Sequence, residues 1–123
     1  MPVTGWKLDR QDRENLLARI PPHWPDPIAD HVTLDGNARR GDPLPSHVRA
    51  EVVGEADDGA GLQALVLAID GSTDRPDGSV YHITWSLDRR AGRRPVESNA
   101  LLARRAWRSM PPIPIRLKPA RLG

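Results

Sequence analysis

Two short segments of the chain repeat one pattern of residue types: histidine, apolar, threonine, apolar. The segments are His31-Val32-Thr33-Leu34 and His82-Ile83-Thr84-Trp85. Successive residues of a β-strand point to opposite faces, so in a strand the histidine and threonine of each motif share one face. The apolar residues of both motifs then point into the core. If the two strands are neighbours, two imidazoles and two hydroxyls line one cleft.

That set of groups suits the cleavage of a phosphodiester. Imidazole titrates near neutral pH, so one histidine can accept a proton from the attacking oxygen while the other protonates the leaving oxygen. We therefore predict that His31 and His82 form an acid–base pair, with either one as the base. Hydroxyls can donate hydrogen bonds to the non-bridging phosphate oxygens, which is the role predicted for Thr33 and Thr84. This chemistry requires neither a metal nor a cofactor.

The two motifs resemble the His-x-Thr/Ser signatures of the two-histidine (2H) phosphoesterase superfamily. That superfamily includes bacterial RNA ligase/cyclic phosphodiesterase proteins and the phosphodiesterase domains of fungal and plant tRNA ligases. The resemblance implies a compact bilobal α+β fold with flanking helices, in which each lobe contributes one motif. It also assigns the acid–base and phosphate-binding roles to the same four residues. The motifs are 51 positions apart, a shorter separation than is typical of the family.

Basic loops follow both motifs and are candidates for substrate contacts. Arginines after the first motif, and a group of four after the second, would form an electropositive rim around the cleft. Residues 92–99 also resemble the tRNA-ligase branch of the superfamily, which implies that two polar residues there help to shape the site. The predicted substrate-binding residues are Arg39, Arg40, Arg93, Ser98 and Asn99.

The elements that must position these residues follow from periodicity and from the prolines. A helix is predicted over residues 9–20, with Asp9 as its N-cap and Pro21 at its end. A second helix is predicted from Ser98 or Asn99 to about Met110. Alternating or continuous apolar runs predict strands at residues 28–34, 48–53, 62–69, 80–87 and 113–117, with a hairpin turn at 70–78. The order predicts an α+β fold in a single domain over residues 1–123.

Composition narrows the class of protein. The chain is 28% charged and 38% hydrophobic, which is typical of soluble globular domains. It has no cysteine, so disulfides and thiolate metal sites are excluded. Residues 64–69, the longest apolar run, are too few to span a membrane, and the N-terminal residues do not resemble a secretory signal. We predict a cytoplasmic, monomeric protein that does not associate with membranes.

Charge is distributed unevenly along the chain. Residues 1–88 hold 8 Lys/Arg against 15 Asp/Glu, whereas residues 89–123 hold 10 Lys/Arg against one glutamate. A basic segment favours an anionic partner such as nucleic acid. The first-choice function is a phosphodiesterase acting on 2′,3′-cyclic phosphate ends of RNA. The alternatives are a phosphodiesterase for cyclic di- or oligonucleotide messengers and a non-catalytic RNA-binding module. A further alternative is a metal-dependent hydrolase in which His31 and His82 join His47 or Asp30 around zinc.

Overall fold

The computed structural model describes residues 3–36, 39 and 41–122, which fold into two antiparallel sheets and two α-helices. The helices are α1 (Arg10–Arg19) and α2 (Glu97–Ala103), and a short 3₁₀ turn covers Arg89–Ala91. The strands are β1 (Thr4–Leu8), β2 (Asp26–Pro27), β3 (His31–Asp35), β4 (Ala50–Asp57), β5 (Leu62–Ile69), β6 (His82–Leu87), β7 (Arg108–Ile115) and β8 (Leu117–Arg121). The predicted α+β class is confirmed.

The strands are shared between a smaller and a larger sheet. The order is β3-β1-β8 in the smaller sheet and β2-β6-β5-β4-β7 in the larger one. Both sheets and α1 contribute to one apolar core, in which Trp6 and Val32 meet Ile83 and Trp85. The opposite face of the larger sheet is covered by α2 through Leu102. The apolar residues of each motif therefore point into the main core, while the histidine and threonine point the other way.

The first helix forms as the sequence predicts. The Asp9 carboxylate accepts the backbone N–H of Asp12 at 3.0 Å, which satisfies one of the free donors of the first turn. Leu16 is buried against the core, and the helix ends before Pro21. This helix packs beside the segment that leads into β3, because Arg13 Nε donates to the carbonyl of Ala29 at 2.9 Å.

The strand predicted at residues 28–34 begins only at His31, and a separate two-residue strand, β2, precedes it at Asp26–Pro27. β2 pairs with β6 in the larger sheet, whereas β3 pairs with β1 in the smaller one. Between them Ala29 is fully buried and has a φ of 45°, in the left-handed region that alanine rarely adopts. Its N–H still donates to the carbonyl of Thr84 at 3.0 Å. Ala29 is therefore the point at which the chain leaves one sheet for the other, directly before the first motif.

The C-terminal elements also differ from the prediction. The second helix ends at Ala103, not near Met110, and Arg105 follows with a φ of 52°. The strand predicted at residues 113–117 is divided, because β7 pairs with β4 and β8 pairs with β1. Arg116 lies at the change of sheet and is bonded to Asp12. Prolines are tolerated in β7 because it is an edge strand. The sequence pattern did not predict β1.

Candidate active site

The two repeated motifs meet at one cleft, although they belong to different sheets. The cleft has a volume of about 370 Å³ and is lined by all four predicted catalytic residues. These residues are His31, Thr33, His82 and Thr84. The remaining lining residues are Val3, Gly36, Arg75, Pro95, Val96, Asn99 and Leu122. The structure therefore brings together the groups on which the sequence prediction depends.

His31 is half-buried at the start of β3 and is held by a carboxylate. Its Nδ1 lies 3.1 Å from Asp30 Oδ2, and the same carboxylate accepts from Lys7 Nζ at 2.6 Å. Partial burial tends to raise the pKa of Asp30, but the hydrogen bonds from Lys7 and His31 outweigh it and lower that pKa. Asp30 is consequently ionised at neutral pH and orients the ring with Nδ1–H towards itself. Nε2 is then the nitrogen available for proton transfer.

His82 lies in a very different environment. It is only 8% exposed, and its Nδ1 is 2.9 Å from the carbonyl oxygen of Val80. Burial lowers the pKa of His82 to about 4; the Val80 hydrogen bond opposes this shift, and the nearby charges of Arg75 and His31 add to it. The ring is therefore neutral at neutral pH. Of the two Nδ1 contacts, the one with the Val80 carbonyl at 2.9 Å is shorter than the one with Arg75 Nη2 at 3.2 Å. Because a carbonyl can only accept, we assign the proton to Nδ1, which leaves the lone pair on Nε2.

The hydroxyl of Thr84 is supported by the start of α2. Thr84 Oγ1 is 2.9 Å from Ser98 Oγ and 3.3 Å from the carbonyl oxygen of Pro95. Ser98 is fully buried, so it lies behind Thr84 and does not line the cleft itself. When Ser98 donates to Thr84, the proton of Thr84 is left for Pro95 or for a ligand. Asn99 lines the cleft and donates from Nδ2 to the carbonyl of Val96 at 3.0 Å.

The structure does not bring Arg39 or Arg93 to the cleft. Arg93 pairs with Asp58 at 2.6 Å and with Glu97 at 3.1 Å, and it borders a different depression. Arg39 is exposed, does not line the cleft, and uses its backbone N–H to bond Asp42. Arg40 lies outside the described residues. The electropositive rim is therefore not formed by Arg39 and Arg93.

One cationic residue of the cleft was missed by sequence reasoning. Arg75 lies in the connection between β5 and β6, and its Nη2 is 3.2 Å from His82 Nδ1. The only sequence signal for it is a basic residue in a turn-rich loop close to the second motif. The lining of the cleft also includes three aliphatic residues, Val3, Val96 and Leu122, of which Val96 is 61% exposed.

The residues suggested for a metal site are not gathered in the structure. Across residues 3–36, 39 and 41–122, no group of three or more His, Cys, Asp or Glu side chains could hold a metal ion. His47 is exposed and does not line the cleft. Asp30 contacts His31 alone of the two motif histidines.

Comparison with known proteins gave no identification. No family model matches the chain, and no match was found among curated proteins or among solved structures. None of the helices within the described part of the chain is long and apolar enough to cross a membrane.

Proposed function

We propose that this chain is a two-histidine phosphodiesterase that opens 2′,3′-cyclic phosphate ends of RNA without a metal ion. The observation that carries the proposal is the convergence of His31, Thr33, His82 and Thr84 on one cleft from two different sheets. Each motif alone is four residues long and would be weak support. Their meeting requires the two sheets to be placed so that β3 lies beside β6. The superfamily resemblance likewise implies that the two motifs come from different lobes.

The environments of the two histidines suggest which one is the base. His82 is neutral, and its Nε2 lone pair is available to take a proton from the attacking water. His31 is the acid, because Asp30 balances the charge of its imidazolium form while Nε2 delivers the proton. The water oxygen bonds to phosphorus, one ribose oxygen leaves, and that oxygen takes the proton from His31. Each proton transfer is worth roughly 10²- to 10⁴-fold in rate.

The hydroxyls of Thr33 and Thr84 would stabilise the charge that develops on the non-bridging oxygens. Donors that are already in place cost no reorganisation during the reaction. Thr84 is held by Ser98, and Thr33 lies on β3 opposite Gly5. If the likeness to tRNA ligases extends to the chemistry, the oxygen that leaves is the ribose 3′ oxygen and the product is a 2′-phosphate.

The size and lining of the cleft favour a terminal nucleotide as substrate. At about 370 Å³ the cleft is near the lower end of the range for small-molecule sites. Besides the polar residues of the motifs, its lining includes three aliphatic residues, Val3, Val96 and Leu122. A cyclic phosphate would contact the polar residues, and its ribose and base would pack against aliphatic side chains of the lining. This combination favours an RNA end over a cyclic oligonucleotide, which has several phosphates to accommodate.

Hydrolysis assays with matched variants test the proposal. The full chain would be incubated in EDTA with nucleoside 2′,3′-cyclic phosphates, with an RNA bearing a cyclic phosphate end, and with a panel of cyclic oligonucleotides. We expect turnover of the cyclic phosphates, with a loss of at least about 100-fold in His31→Ala and in His82→Gln. His47→Ala is the control, because this histidine is exposed and outside the cleft.

The possible results separate the competing functions. Turnover of cyclic oligonucleotides alone would identify a cyclic oligonucleotide messenger, and not an RNA end, as the substrate. Turnover that EDTA abolishes would support a metal hydrolase. Equal turnover in the wild type and both histidine variants, or no turnover of any substrate, would overturn the proposal and favour a binding module. Thermal unfolding of each variant shows whether a lost activity reflects a lost fold.

A further inference from the structure

Arg75 is a buried cation at the wall of the cleft that neither motif includes. It is 9% exposed and lines the same cleft as His82 and Thr84. Its backbone begins the tight turn between β5 and β6: the N–H donates to the carbonyl of Ser79 at 2.7 Å, and the carbonyl accepts from Gly78 at 2.9 Å. Since both backbone groups are bonded, the side chain extends from a fixed point.

The guanidinium of Arg75 has an unusual set of neighbours. No carboxylate of the described residues forms an ion pair with it, and Asp77 acts on it only at longer range. Its Nε is fully buried and has no hydrogen-bond partner among those residues. The Nη1 contact with Asn99 Oδ1 is long, at 3.5 Å. By contrast, Arg93, Arg105 and Arg116 each contact a carboxylate at 3.1 Å or less.

The contact between Arg75 and His82 does not compensate this charge. His82 Nδ1 donates its proton to the Val80 carbonyl, so it cannot also accept from Arg75 Nη2 at 3.2 Å. A buried guanidinium without a counter-charge is costly, and an anion supplied from outside removes that cost. The planar fork of arginine suits the oxygens of a phosphate group. The position of Arg75 beside the proposed base is where such a group would lie.

We propose that Arg75 binds a non-bridging phosphate oxygen of the ligand and makes the cleft selective for phosphate esters. This inference rests on the proposed function only for the identity of the ester, because binding of a phosphate anion can be measured without turnover. Arg75 then supplies the positive charge of the site, whereas the two threonines supply neutral donors. Among the described residues, Arg75 is the arginine that lines the cleft.

Phosphate binding to the full chain tests this directly. Inorganic phosphate and a nucleoside 2′-monophosphate would be titrated and followed by calorimetry and by NMR of the histidine rings. We expect affinity to fall at least about tenfold in Arg75→Gln, and less in Arg75→Lys, which keeps the charge without the fork. Arg105→Gln is the control. The Arg105 side chain donates to Asp74 and Gly78, which lie in the same β5–β6 connection as Arg75, but Arg105 itself lies outside the cleft.

A second readout distinguishes ligand contact from support of the loop. An anion at Arg75 offsets two positive neighbours of His82, Arg75 itself and His31, so bound phosphate raises the pKa of His82 in the wild type. Unchanged phosphate affinity in Arg75→Gln, with this variant and Arg105→Gln both folded, would overturn the inference. Phosphate binding that depends on Arg75 without hydrolysis of any ester would support it while the proposed function failed. Hydrolysis with an unaltered KM in Arg75→Gln would support the proposed function and overturn the inference about Arg75.

Discussion

At the scale of single residues, the two histidines of the repeated motif are not equivalent. His31 is half-buried beside the carboxylate of Asp30, whereas His82 is enclosed between a carbonyl and the guanidinium of Arg75. The Asp30 carboxylate can balance a positive charge on the ring of His31, whereas the guanidinium of Arg75 cannot balance one on the ring of His82. Identical sequence patterns therefore acquire different chemistry from their neighbours, which is how one protein can present both an acid and a base at the same pH.

The depressed pKa of His82 makes stability depend on pH. The pKa is about 4 in the folded protein and 6.5 for an ordinary histidine, so the unfolded chain binds the proton first as the pH falls. The stabilisation is complete above pH 6.5 and is lost as the pH falls towards 4, with a total of about 3 kcal/mol. Urea unfolding at several pH values measures this.

The comparison variant for that measurement is His82→Gln, which removes the titrating ring. Asp12 and Asp58 also have lowered pKa values, and they reduce the free energy of unfolding in the same direction at still lower pH. The difference between wild type and variant isolates the histidine. If both proteins lose the same free energy between pH 6.5 and 4, His82 is not buried in its neutral form as the structure has it.

Ser98 illustrates a residue that acts through another residue. It is fully buried and contacts Thr84 Oγ1 at 2.9 Å. In Ser98→Ala the Thr84 hydroxyl keeps only the Pro95 carbonyl as partner and directs its proton there. We expect kcat on a cyclic phosphate to fall about fivefold, the equivalent of one hydrogen bond of about 1 kcal/mol. Ser109→Ala, on the exposed part of β7, should leave kcat unchanged; an equal effect in both variants would contradict this role.

At the scale of elements, the position of the first motif depends on how closely β1 approaches β3. Gly5 is opposite Thr33, and a Cβ at Gly5 would collide with the carbonyl oxygen of Val32. Only glycine permits this spacing, because the contact involves backbone that cannot turn aside. On the other side of the motif, Ala29 directs the chain into β3 with a positive φ. The sequence positions of His31 and Thr33 thus have strict backbone requirements on both sides.

Gly5→Ala is predicted to destabilise the protein and to displace β3. Relief of the collision must move backbone, and overpacking of this kind typically costs about 1–3 kcal/mol. The free energy of unfolding in urea measures the loss, and amide chemical shifts of β3 report the displacement. Gly36→Ala is the matched control, because a Cβ there meets nothing within 4 Å, and its effect should stay within about 0.5 kcal/mol. Equal stability of the two variants would contradict the close approach.

At the scale of the whole molecule, part of the charge asymmetry along the chain is paired in space, because four of the ten basic residues of 89–123 contact an acid from residues 1–88. Arginines of the basic C-terminal segment contact acids of the N-terminal part: Arg93 with Asp58, Arg105 with Asp74, Arg108 with Glu55, and Arg116 with Asp9 and Asp12. Of these pairs, the exposed one between Arg105 and Asp74 adds little stability. Together the pairs reduce the positive field that a non-specific RNA-binding surface would need, which weakens the case for the binding-module alternative.

This pairing predicts that binding of ordinary RNA depends only weakly on salt. If a single-stranded RNA without a cyclic end is held by one or two phosphate contacts, log Kobs against log salt should have a slope no steeper than about −1.4. Fluorescence anisotropy across a range of KCl concentrations gives the slope. A slope of about −3 or steeper would mean that several arginines bind the RNA backbone together, and it would support the non-catalytic RNA-binding module.

The sequence by itself determined the local features of this protein. It predicted α1 with its Asp9 cap, the strand Leu62–Ile69, the hairpin to β6 and the outward face shared by each histidine and threonine. These follow from capping and from alternation, which act over a few neighbouring residues. The α+β class and the four motif residues could be named on that basis.

The tertiary structure alone decided which groups share the cleft. It divided residues 113–117 between two sheets and began the strand predicted at 28–34 only at His31. It also brought Arg75 beside His82 and turned Arg93 towards Asp58. Each of these depends on contacts between residues far apart in the chain, and on the electrostatic cost of leaving charges unpaired when elements pack. Local pattern carries no information about that cost. The sequence therefore identified the groups that can do chemistry, and the packing of the two sheets gave each histidine its environment.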